Sequence, residues 1–360
     1  MCFDINKTFF KKNIKSLLFF LLLTLIASLL IIARGFFKRN ISAFNMAGTA
    51  MGTFINQTVY CRDPQKICTE TLNIIKELEN KISWRVKESD IAKINSKNQN
   101  SPITISPETL DILDVSIKVS QATNSAFNPA ILPLSKLWDF GGNNQRVPTE
   151  QEISNVLPYL NIQNLTLNKS ACSVTKKDSK LMLDLGSIGK GTACDAAVNY
   201  YEDKKINAGI ICVGGTIGVY GHKNDTTPWK IAIRNPFITD KTDVSFAVLD
   251  IDSGFISTSG AYERNFTYND KFYHHILSSR TGYPIENNLA SVTVYTSNGT
   301  LSDILSTACY VIGPDKSKSI LKEFNAQALF VDKDKKVVAS SYFKDTLNIT
   351  DSSFVVSEWI

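Results

Sequence analysis

Apolar positions along this chain follow both the helical and the strand period, which predicts a fold that mixes helices and sheets. Residues 66–82 and 107–123 carry apolar side chains every three or four positions. Ser106 followed by Pro107 is typical of a helix start. Residues 189–203 predict a third helix, which opens with glycines.

The predicted strands do not alternate regularly with these helices. This order favours the α+β class, with layers of helices and sheets, over a βαβ succession. Strands are predicted at residues 52–60, 208–220, 229–234, 244–251 and 290–295, with a hairpin near residue 274, an irregular aromatic loop at 127–142, and two helices at 302–312 and 316–324.

The N-terminal segment differs from the rest of the chain. Residues 17–33 are apolar apart from Thr24 and Ser28, and basic residues flank them on both sides. A run of this length is just long enough to span a bilayer and exceeds a typical signal-peptide core. We therefore predict a single-pass membrane protein with its main domain outside the cytoplasm. The predicted parts are a cytoplasmic basic tail (1–15), a transmembrane signal-anchor (16–33), a linker (34–47), the main domain (48–345) and a C-terminal tail (346–360).

Charge and cysteine content exclude two classes of partner. The chain carries a net charge of +5, but its first 45 residues alone carry +6, so the remainder is close to neutral. A near-neutral domain has no excess positive charge to neutralise a phosphate backbone, so nucleic acid binding is not expected. The seven cysteines include no CxxC pair, so a zinc site is not expected either.

Two of the three histidines, His274 and His275, stand side by side shortly before Arg280 and a turn at Gly282. Adjacent residues on a strand point to opposite faces, so one histidine can face a site while the other packs inside. An arginine next to a glycine turn could contact a phosphate. The alternative is a hairpin with two solvated histidines, and this segment alone does not decide between the two.

A second segment leads into the helix at 189–203 through Gly186, Gly189 and Gly191, with Lys190 between the last two. Backbone amides at a helix start can bind anions, and the lysine adds a point charge. The spacing does not match a P-loop. The alternative is a tight turn in which glycine only permits close packing.

A third segment could bind a metal ion. On the helix predicted at 302–312, Asp303 and Thr307 are four residues apart and share one face. Their oxygens suit Mg²⁺, with water and a substrate phosphate completing the shell. The alternative is structural, with Ser302 capping the helix and Thr307 bonding back to its own backbone. Nearby, Ser259 lies in a hydroxyl-rich turn that could contact a phosphate or ribose, or be only a loop.

Together these segments resemble the ApbE family, the FAD:protein FMN transferases. The matches run in the family's order and cover nearly all of the main domain. Each motif is weak alone, but the ordered set is specific. The matching segments are Ala50-Met51-Gly52-Thr53, residues 83–95, Phe127-Asn128-Pro129 with residues 133–141, residues 183–186 with Lys190-Gly191, Val213-Gly214-Gly215, residues 257–260, His274-His275-Ile276 with residues 280–284, and residues 303–307.

The resemblance implies a tunnelling-type (T-fold-like) α/β architecture that holds FAD between subdomains. Members use Mg²⁺ to transfer FMN from FAD to a Thr or Ser hydroxyl of a partner protein, through a phosphoester, and release AMP. The implied partners are redox-complex subunits or FMN-binding domains that carry the acceptor hydroxyl. Two alternatives use the same residues: an FAD pyrophosphatase that yields FMN and AMP, and a flavin-binding protein without turnover.

The resemblance also implies roles for individual residues. The metal contacts are the side chains of Asp303 and Thr307 and an oxygen of Ser187. His275 resembles the histidine beside the scissile pyrophosphate. Either His275 or Asp303 is the general base, and a metal-bound carboxylate is the poorer base. The implied FAD contacts are Met51, Trp84, Arg85, Ala126, Phe127, Asn128, Asp184, Lys190 and Ile276, with Ser259 as a further candidate.

The sequence departs from the family pattern at several turns. Gly189 stands where alanine is common, and Ser278-Ser279 stand where Asp-Pro is common. Thr300 stands where some members have an acidic residue, which argues against a second metal carboxylate. The aromatic ring often found at the position of Arg85 is displaced to Trp84, so the sequence does not fix the partner that stacks on a ring.

Overall fold

The computed structural model describes residues 43–98, 100–223, 227–238 and 244–360, together with residue 19 and residues 21–30, which are helical. The predicted basic tail, much of the predicted transmembrane segment and the linker up to residue 42 lie outside these residues. Within the described ranges, no helix combines the length and the apolarity needed to cross a membrane.

The described chain alternates irregularly between helices and strands, and the predicted α+β class is confirmed. The helices are α1 (Pro64–Ile82), α2 (Asp90–Ser96), α3 (Pro107–Ala122), α4 (Leu132–Trp138), α5 (Glu150–Val156), α6 (Gly189–Asp203) and α7 (Gly299–Glu323). Short 3₁₀ turns occur at Pro129–Ile131, Leu157–Leu160, Ile162–Asn164 and Ser341–Phe343. The strands are β1 (Ala43–Ala50), β2 (Thr53–Tyr60), β3 (Ile103–Thr104), β4 (Leu165–Asn168), β5 (Ser173–Lys176), β6 (Ala208–Val213), β7 (Thr216–Gly221), β8 (Trp229–Arg234), β9 (Ser245–Ile251), β10 (Gly254–Gly260), β11 (Asn265–Tyr268), β12 (Lys271–His274), β13 (Leu289–Thr296), β14 (Gln327–Asp332), β15 (Lys336–Ala339), β16 (Leu347–Ile349) and β17 (Val355–Trp359).

Among the described residues, the main sheet has nine strands in the order β1-β2-β6-β7-β10-β13-β14-β15-β17, antiparallel except for the β15–β17 pair. Successive side chains of a strand face opposite sides of the sheet. On β14, Ala328 and Phe330 enter the core that the helices cover, while Leu329 and Val331 enter a second core. The small sheet β16-β9-β8 contributes to that second core, so the main sheet is covered on both faces.

A third apolar cluster supports the loops near the histidine hairpin. Trp138 at the end of α4 is fully buried against Phe140 and Tyr273, with ring centroids 5.4 Å away in each case. Its Nε1 donates a hydrogen bond of 2.8 Å to the carbonyl of Gly282. The prediction of an irregular loop at 127–142 is therefore wrong in part, because burial of one apolar face stabilises a short helix there.

Four further segments differ from the sequence predictions. Residues 208–220 form the hairpin β6–β7, since the two glycines between the strands reverse the chain. Residues 302–312 and 316–324 belong to one helix, α7, which begins earlier and is interrupted at Gly313 (φ 78°). The predicted tail at 346–360 contributes β16 and β17 and buries Phe354 to 3% exposure, and β1 begins within the predicted linker.

Candidate functional site

The start of α6 and the second turn of α7 meet at one point. Asp303 on α7 is 3% exposed, and its Oδ2 accepts a hydrogen bond of 3.0 Å from the backbone N–H of Gly191 on α6. Its Oδ1 lies 3.4 Å from Nζ of Lys190, whose side chain is 28% exposed. The glycine turn before α6 and the part of α7 that carries Asp303 therefore form a single site, which opens to solvent at Lys190.

Two glycines allow this close approach. A Cβ placed on Gly191 would lie 2.1 Å from the carbonyl oxygen of Gly299 and 2.7 Å from Cβ of Asp303. A Cβ on Gly299 would lie 2.5 Å from the carbonyl oxygen of Gly191. Real side chains do not approach so closely, so the two helices cross with backbone against backbone only because both positions lack a side chain.

Hydroxyl groups line the same face of α7. Thr307 lies one turn after Asp303 and is partly exposed. Its Oγ1 is 3.2 Å from Oγ of Ser259 on β10, and Ser259 is in turn 2.7 Å from Oγ of Ser306. Ser259, predicted as a cofactor contact, is thus tied to the helix that carries the predicted metal ligands.

A backbone carbonyl of the glycine turn is a further oxygen donor. The N–H of Gly191 donates to Asp303, so the carbonyl of Ser187, four residues before Gly191, does not receive that helical bond. A carboxylate, a hydroxyl and a carbonyl are oxygen ligands of the kind that Mg²⁺ prefers. The described residues contain no cluster of three or more His, Cys, Asp or Glu suited to a metal. By their chemistry, these three kinds of oxygen donor fit Mg²⁺ that water and a substrate phosphate complete.

Three N–H groups of the glycine turn are engaged within the protein and are not free to bind an anion. The N–H groups of Ile188 and Gly189 donate to the carbonyl of Leu185, at 3.0 and 2.9 Å, and that of Gly191 donates to Asp303. For these amides the tight-turn interpretation is correct. The group that this segment offers to a diphosphate is the ammonium of Lys190.

Two hairpin turns enclose the lysine. Met51 (φ 55°) and Gly52 (φ 67°) form the tip of β1–β2 in the left-handed region, as a type I′ turn requires. Sδ of Met51 would lie 3.7 Å from a Cβ placed on Gly189, so this predicted FAD contact lies beside the start of α6. A Cβ on Gly214 would lie 3.2 Å from Cδ of Lys190, so the β6–β7 turn packs along the lysine stem.

His275 follows directly after β12 and is held by one carbonyl group. Its backbone N–H donates to the oxygen of Arg264 at 3.0 Å, and its ring Nδ1 lies 3.2 Å from the same oxygen. A carbonyl oxygen can only accept, so Nδ1 carries the proton of the neutral ring and Nε2 keeps a lone pair. The ring is therefore oriented so that Nε2 is the basic atom of a potential general base.

The charge state of His275 follows from its surroundings. Burial lowers the pKa of His275 to about 3, and the positive charges of Arg264 and Lys190 act in the same direction. The ring is therefore neutral across the physiological range.

His274 has a structural role instead. It is 6% exposed, its Nε2 donates to the carbonyl of Ile285 at 2.9 Å, and its Nδ1 accepts from the N–H of Ile276 at 3.3 Å. Its ring packs edge-on against Tyr310 with centroids 5.9 Å apart. The two histidines thus face different environments, and the alternative with two solvated histidines is wrong. Ile276, a predicted FAD contact, is itself buried.

Trp84, Arg85 and Asp184 come together just after α1. Burial raises the pKa of the Asp184 carboxyl, and the nearby charge of Arg85 opposes this shift. Nε1 of Trp84 is buried without a hydrogen bond of normal geometry, although it lies close enough to Asp184 to act weakly on that carboxyl. Arg85 Cζ lies 4.2 Å and Lys136 Nζ 5.1 Å from the indole centroid of Trp84, so two cations lie near the ring of this predicted FAD contact.

The predicted contacts at 126–128 are mostly buried. Phe127 and Asn128 are 2% and 8% exposed, and Asn128 uses its side-chain oxygen and nitrogen on neighbouring backbone groups. Ala126 is the partly exposed member of the three. A hydrogen bond of 2.8 Å from the N–H of Asp184 to the carbonyl of Pro129 holds this segment beside the Trp84 cluster.

Arg280 braces a loop rather than extending toward Asp303. Its Nη2 donates to the carbonyl of Asn124 at 2.9 Å, and Oγ of Ser279 donates to the carbonyl of Ser125 at 2.6 Å. Asn124 (φ 49°) and Ser125 (φ 63°) are both in the left-handed region, so the two bonds stabilise a strained turn. That turn leads directly into Ala126.

Two residues of this region carried no signal that sequence reasoning used. The first is Arg264, whose carbonyl oxygen orients His275 and whose positive charge acts on both His275 and Asp184. Arg264 stands in a loop and belongs to no motif. Asp195 contacts the first turn of α7. Its position one helical turn after Gly191 is the signal that could have identified it.

Comparison with known proteins gives this geometry a family context. The ApbE family profile matches residues 51–330. A curated protein of Klebsiella pneumoniae (strain 342) is 30% identical over 314 residues, which cover 87% of this chain and 96% of that protein. One from Escherichia coli (strain K12) is 30% identical over 320 residues, covering 87% and 89% respectively. Both bear the name FAD:protein FMN transferase.

Solved structures agree with this assignment. The ApbE protein of Thermotoga maritima superimposes with a TM-score of 0.76 at 29% identity, covering 84% of this chain and 98% of that one. The flavin transferase ApbE of Vibrio cholerae gives a TM-score of 0.75 at 28% identity, covering 85% and 99%. The ApbE-type α+β fold is confirmed. Because the profile matches well over half of its length, the chain belongs to the ApbE family.

Proposed function

We propose that this protein is an Mg²⁺-dependent FAD:protein FMN transferase that attaches FMN to a Ser or Thr hydroxyl of a partner protein and releases AMP. Membership of the family and the names of its curated relatives support the transferase activity. The observation that carries the proposal is the junction of Lys190 and Asp303, together with the lone pair on Nε2 of His275. A base, a cation and oxygen ligands are what pyrophosphate cleavage requires.

The reaction exchanges a phosphoanhydride for a phosphoester. The acceptor hydroxyl oxygen forms a bond to the FMN phosphorus, the bond from that phosphorus to the bridging oxygen breaks, and AMP leaves with the bridging oxygen. Nε2 of His275 takes the hydroxyl proton. The pKa of this ring is low in the free protein, and the negative charge of a bound diphosphate raises the pKa of a neighbouring imidazole. Asp303 is less suited to this step because a carboxylate that binds a metal ion is the poorer base.

The remaining residues bind and orient the diphosphate. The ammonium of Lys190 compensates negative charge on its oxygens. Asp303, Thr307 and the carbonyl of Ser187 would hold Mg²⁺, which, when bound, supplies Lewis-acid and template chemistry. Trp84 and Arg85 offer a ring and a guanidinium plane against which a flat ring of FAD can stack.

A test of the activity measures the product on the acceptor. The full chain in detergent is incubated with FAD, Mg²⁺ and an FMN-binding-domain protein that carries an acceptor Ser or Thr, and the acceptor is weighed by mass spectrometry. We expect a gain equal to FMN less one water, with one AMP released per acceptor. An acceptor variant with Ala at the hydroxyl position is the control. An unmodified acceptor in the presence of bound FAD would contradict the proposal.

The same experiment separates the second candidate, an FAD pyrophosphatase. The 28% exposure of the Lys190 side chain leaves the site open to water, which could replace the acceptor hydroxyl. If free FMN and AMP form at one rate with or without acceptor, the protein is a pyrophosphatase. If AMP release depends on the acceptor, it is a transferase.

We further propose that the apolar N-terminal segment anchors the protein in a membrane, with the catalytic domain outside the cytoplasm. Within its described part, Leu21, Leu25 and Leu29 are each more than half exposed to solvent, as residues that face lipid would be. Alkaline carbonate extraction of cell membranes tests this. Retention of the full chain in the membrane supports the anchor, and release into the supernatant contradicts it.

A further inference from the structure

Asp195, on α6, caps the helix that carries Asp303. Its carboxylate accepts hydrogen bonds of 2.6 Å from each of the N–H groups of Gly299 and Thr300, and one of 2.7 Å from the hydroxyl of Thr300. These amides belong to the first turn of α7, where a helix has no acceptors of its own. Asn298 provides the ordinary N-cap of the same helix by accepting from Leu301.

The capping is reciprocal. On α6, Gly191 and Asp195 are one turn apart, and on α7, Gly299 and Asp303 are one turn apart. The N–H of Gly191 donates to Asp303, while the N–H of Gly299 donates to Asp195. Each helix therefore supplies an aspartate to the amino-terminal end of the other, where the helix dipole favours negative charge.

This pair of contacts fixes the register of the two helices. A slip by one residue would move α7 by about 1.5 Å along its axis. Such a slip would displace Asp303 from Lys190, and a misplacement of about 1 Å in a reacting site can cost roughly 10²-fold in rate. The contact between Gly191 and Gly299 prevents closer approach but does not by itself oppose sliding. The hydrogen bonds from Gly299 and Thr300 to Asp195 oppose sliding, because a shift of α7 along its axis would break them.

We propose that Asp195 is a positioning residue that holds α7 in the register at which Asp303 and Thr307 meet the metal and the diphosphate of FAD. This inference rests on the function proposed above. Thr300 supports this inference. It stands at the position where some family members carry an acidic residue, and its hydroxyl donates a further hydrogen bond to Asp195. Asp195 itself touches neither substrate nor metal in this role.

The test measures metal binding directly, apart from turnover. The full chain with saturating FAD is titrated with Mn²⁺, and free Mn²⁺ is counted by electron paramagnetic resonance. We expect Asp195→Asn to raise the Kd for Mn²⁺ at least about tenfold, the range for residues that orient metal ligands, with FAD affinity within about twofold of the parent. An asparagine keeps the shape but turns an amide N–H toward a backbone N–H.

A matched control separates positioning from simple helix capping. Asn298→Ala removes a cap from the same helix end without touching α6, and we expect a lower Tm with an Mn²⁺ Kd within about twofold of the parent. Thr300→Val keeps both backbone hydrogen bonds to Asp195 and loses only the one from the hydroxyl, so it should give a smaller loss of Mn²⁺ affinity than Asp195→Asn. This variant tests the role of Asp195 even if Asp195→Asn folds poorly.

The outcomes distinguish this inference from the proposed function. If Asp195→Asn, or Thr300→Val in its place, binds Mn²⁺ like the parent or loses no more affinity than Asn298→Ala, the positioning role is overturned while the metal site stands. If the parent with FAD binds no Mn²⁺, the metal site of the proposed function fails, and the positioning role fails with it.

Discussion

The backbone N–H of Gly191 and the carboxylate of Asp303 are 112 residues apart in the chain and 3.0 Å apart in the structure. This hydrogen bond holds α7, which carries Asp303, against the start of α6, which carries Lys190. A cation and a carboxylate then lie side by side at a place open to solvent. The predictions below follow from that arrangement and from the orientation of His275.

Gly191→Ala should damage both the fold and the site. Its Cβ would collide with the carbonyl oxygen of Gly299, so we expect a loss of about 1–3 kcal/mol in the free energy of unfolding. Gly189→Ala is the control, since a Cβ there lies 3.5 Å from Ile82 and meets only ordinary contacts. Thermal unfolding of both variants checks this. Equal Tm values would show that the helices can separate without cost.

Asp303→Asn should remove most metal-dependent turnover and leave FAD binding largely intact. The substitution keeps an acceptor for Gly191 but loses the negative ligand, which is worth several kcal/mol and hence at least about 10²-fold in rate. Asp315→Asn, at an 89% exposed carboxylate on the same helix, is the control and should behave as the parent. AMP release at varied Mg²⁺ measures the effect. An unchanged rate for Asp303→Asn would refute the metal assignment.

The ring of His275 should remain neutral in acid. Burial lowers the pKa of His275 to about 3, so its ring resonances should not titrate between about pH 8 and 5, where an unperturbed histidine would. The chain has only three histidines, so nuclear magnetic resonance of histidine-labelled protein can follow each one, and His275→Gln assigns the signal. A midpoint near pH 6.5 for His275 would show that the ring is solvated and not held as described.

The same shift makes stability depend on pH. Because the pKa of His275 is lower in the folded state, the unfolded chain takes up the proton first as the pH falls. This residue therefore costs no stability above about pH 6.5, and stability is lost progressively from there toward pH 3. We expect the Tm difference between the parent and His275→Gln to change over that window in favour of the variant. A constant difference would contradict the shift.

Trp84 should contribute to FAD binding through its ring. Loss of an aromatic contact costs about 0.5–1.5 kcal/mol, so we expect Trp84→Ala to weaken FAD binding roughly 2- to 12-fold and Trp84→Phe to retain most of the affinity. Trp359→Ala, on β17, is the control for loss of a tryptophan elsewhere. Calorimetric titration with FAD measures both. The same affinity for Trp84→Ala and the parent would remove this residue from the binding site.

The sequence indicated the elements whose signals are local. The helix predicted at residues 189–203 matches α6. The alternation of adjacent residues allowed one histidine to pack inside and the other to face a site, and the structure buries His274. The start of α7 was missed because Gly299 is a weak helix former, and its N–H depends on Asp195, from another helix, as acceptor. A short helix after residue 131 was missed because burial of Trp138, rather than periodicity, stabilises it.

In the candidate site too, the sequence indicated some residues and missed others. The resemblance to a family assigned Asp303, Lys190 and His275, and the structure joins two of these residues, Lys190 and Asp303. It could not supply Arg264 or Asp195, because their roles come from a carbonyl oxygen and from a contact between helices. Such roles depend on packing between distant parts of the chain, which no local pattern records.

The most direct test of the whole account is the position of the metal ion in a crystal of this protein with FAD and Mn²⁺, located by anomalous scattering. The account predicts a peak between the carboxylate of Asp303, the hydroxyl of Thr307 and the carbonyl of Ser187, in contact with the diphosphate of FAD. A peak elsewhere, or FAD bound with its diphosphate away from Lys190 and Asp303, would contradict it.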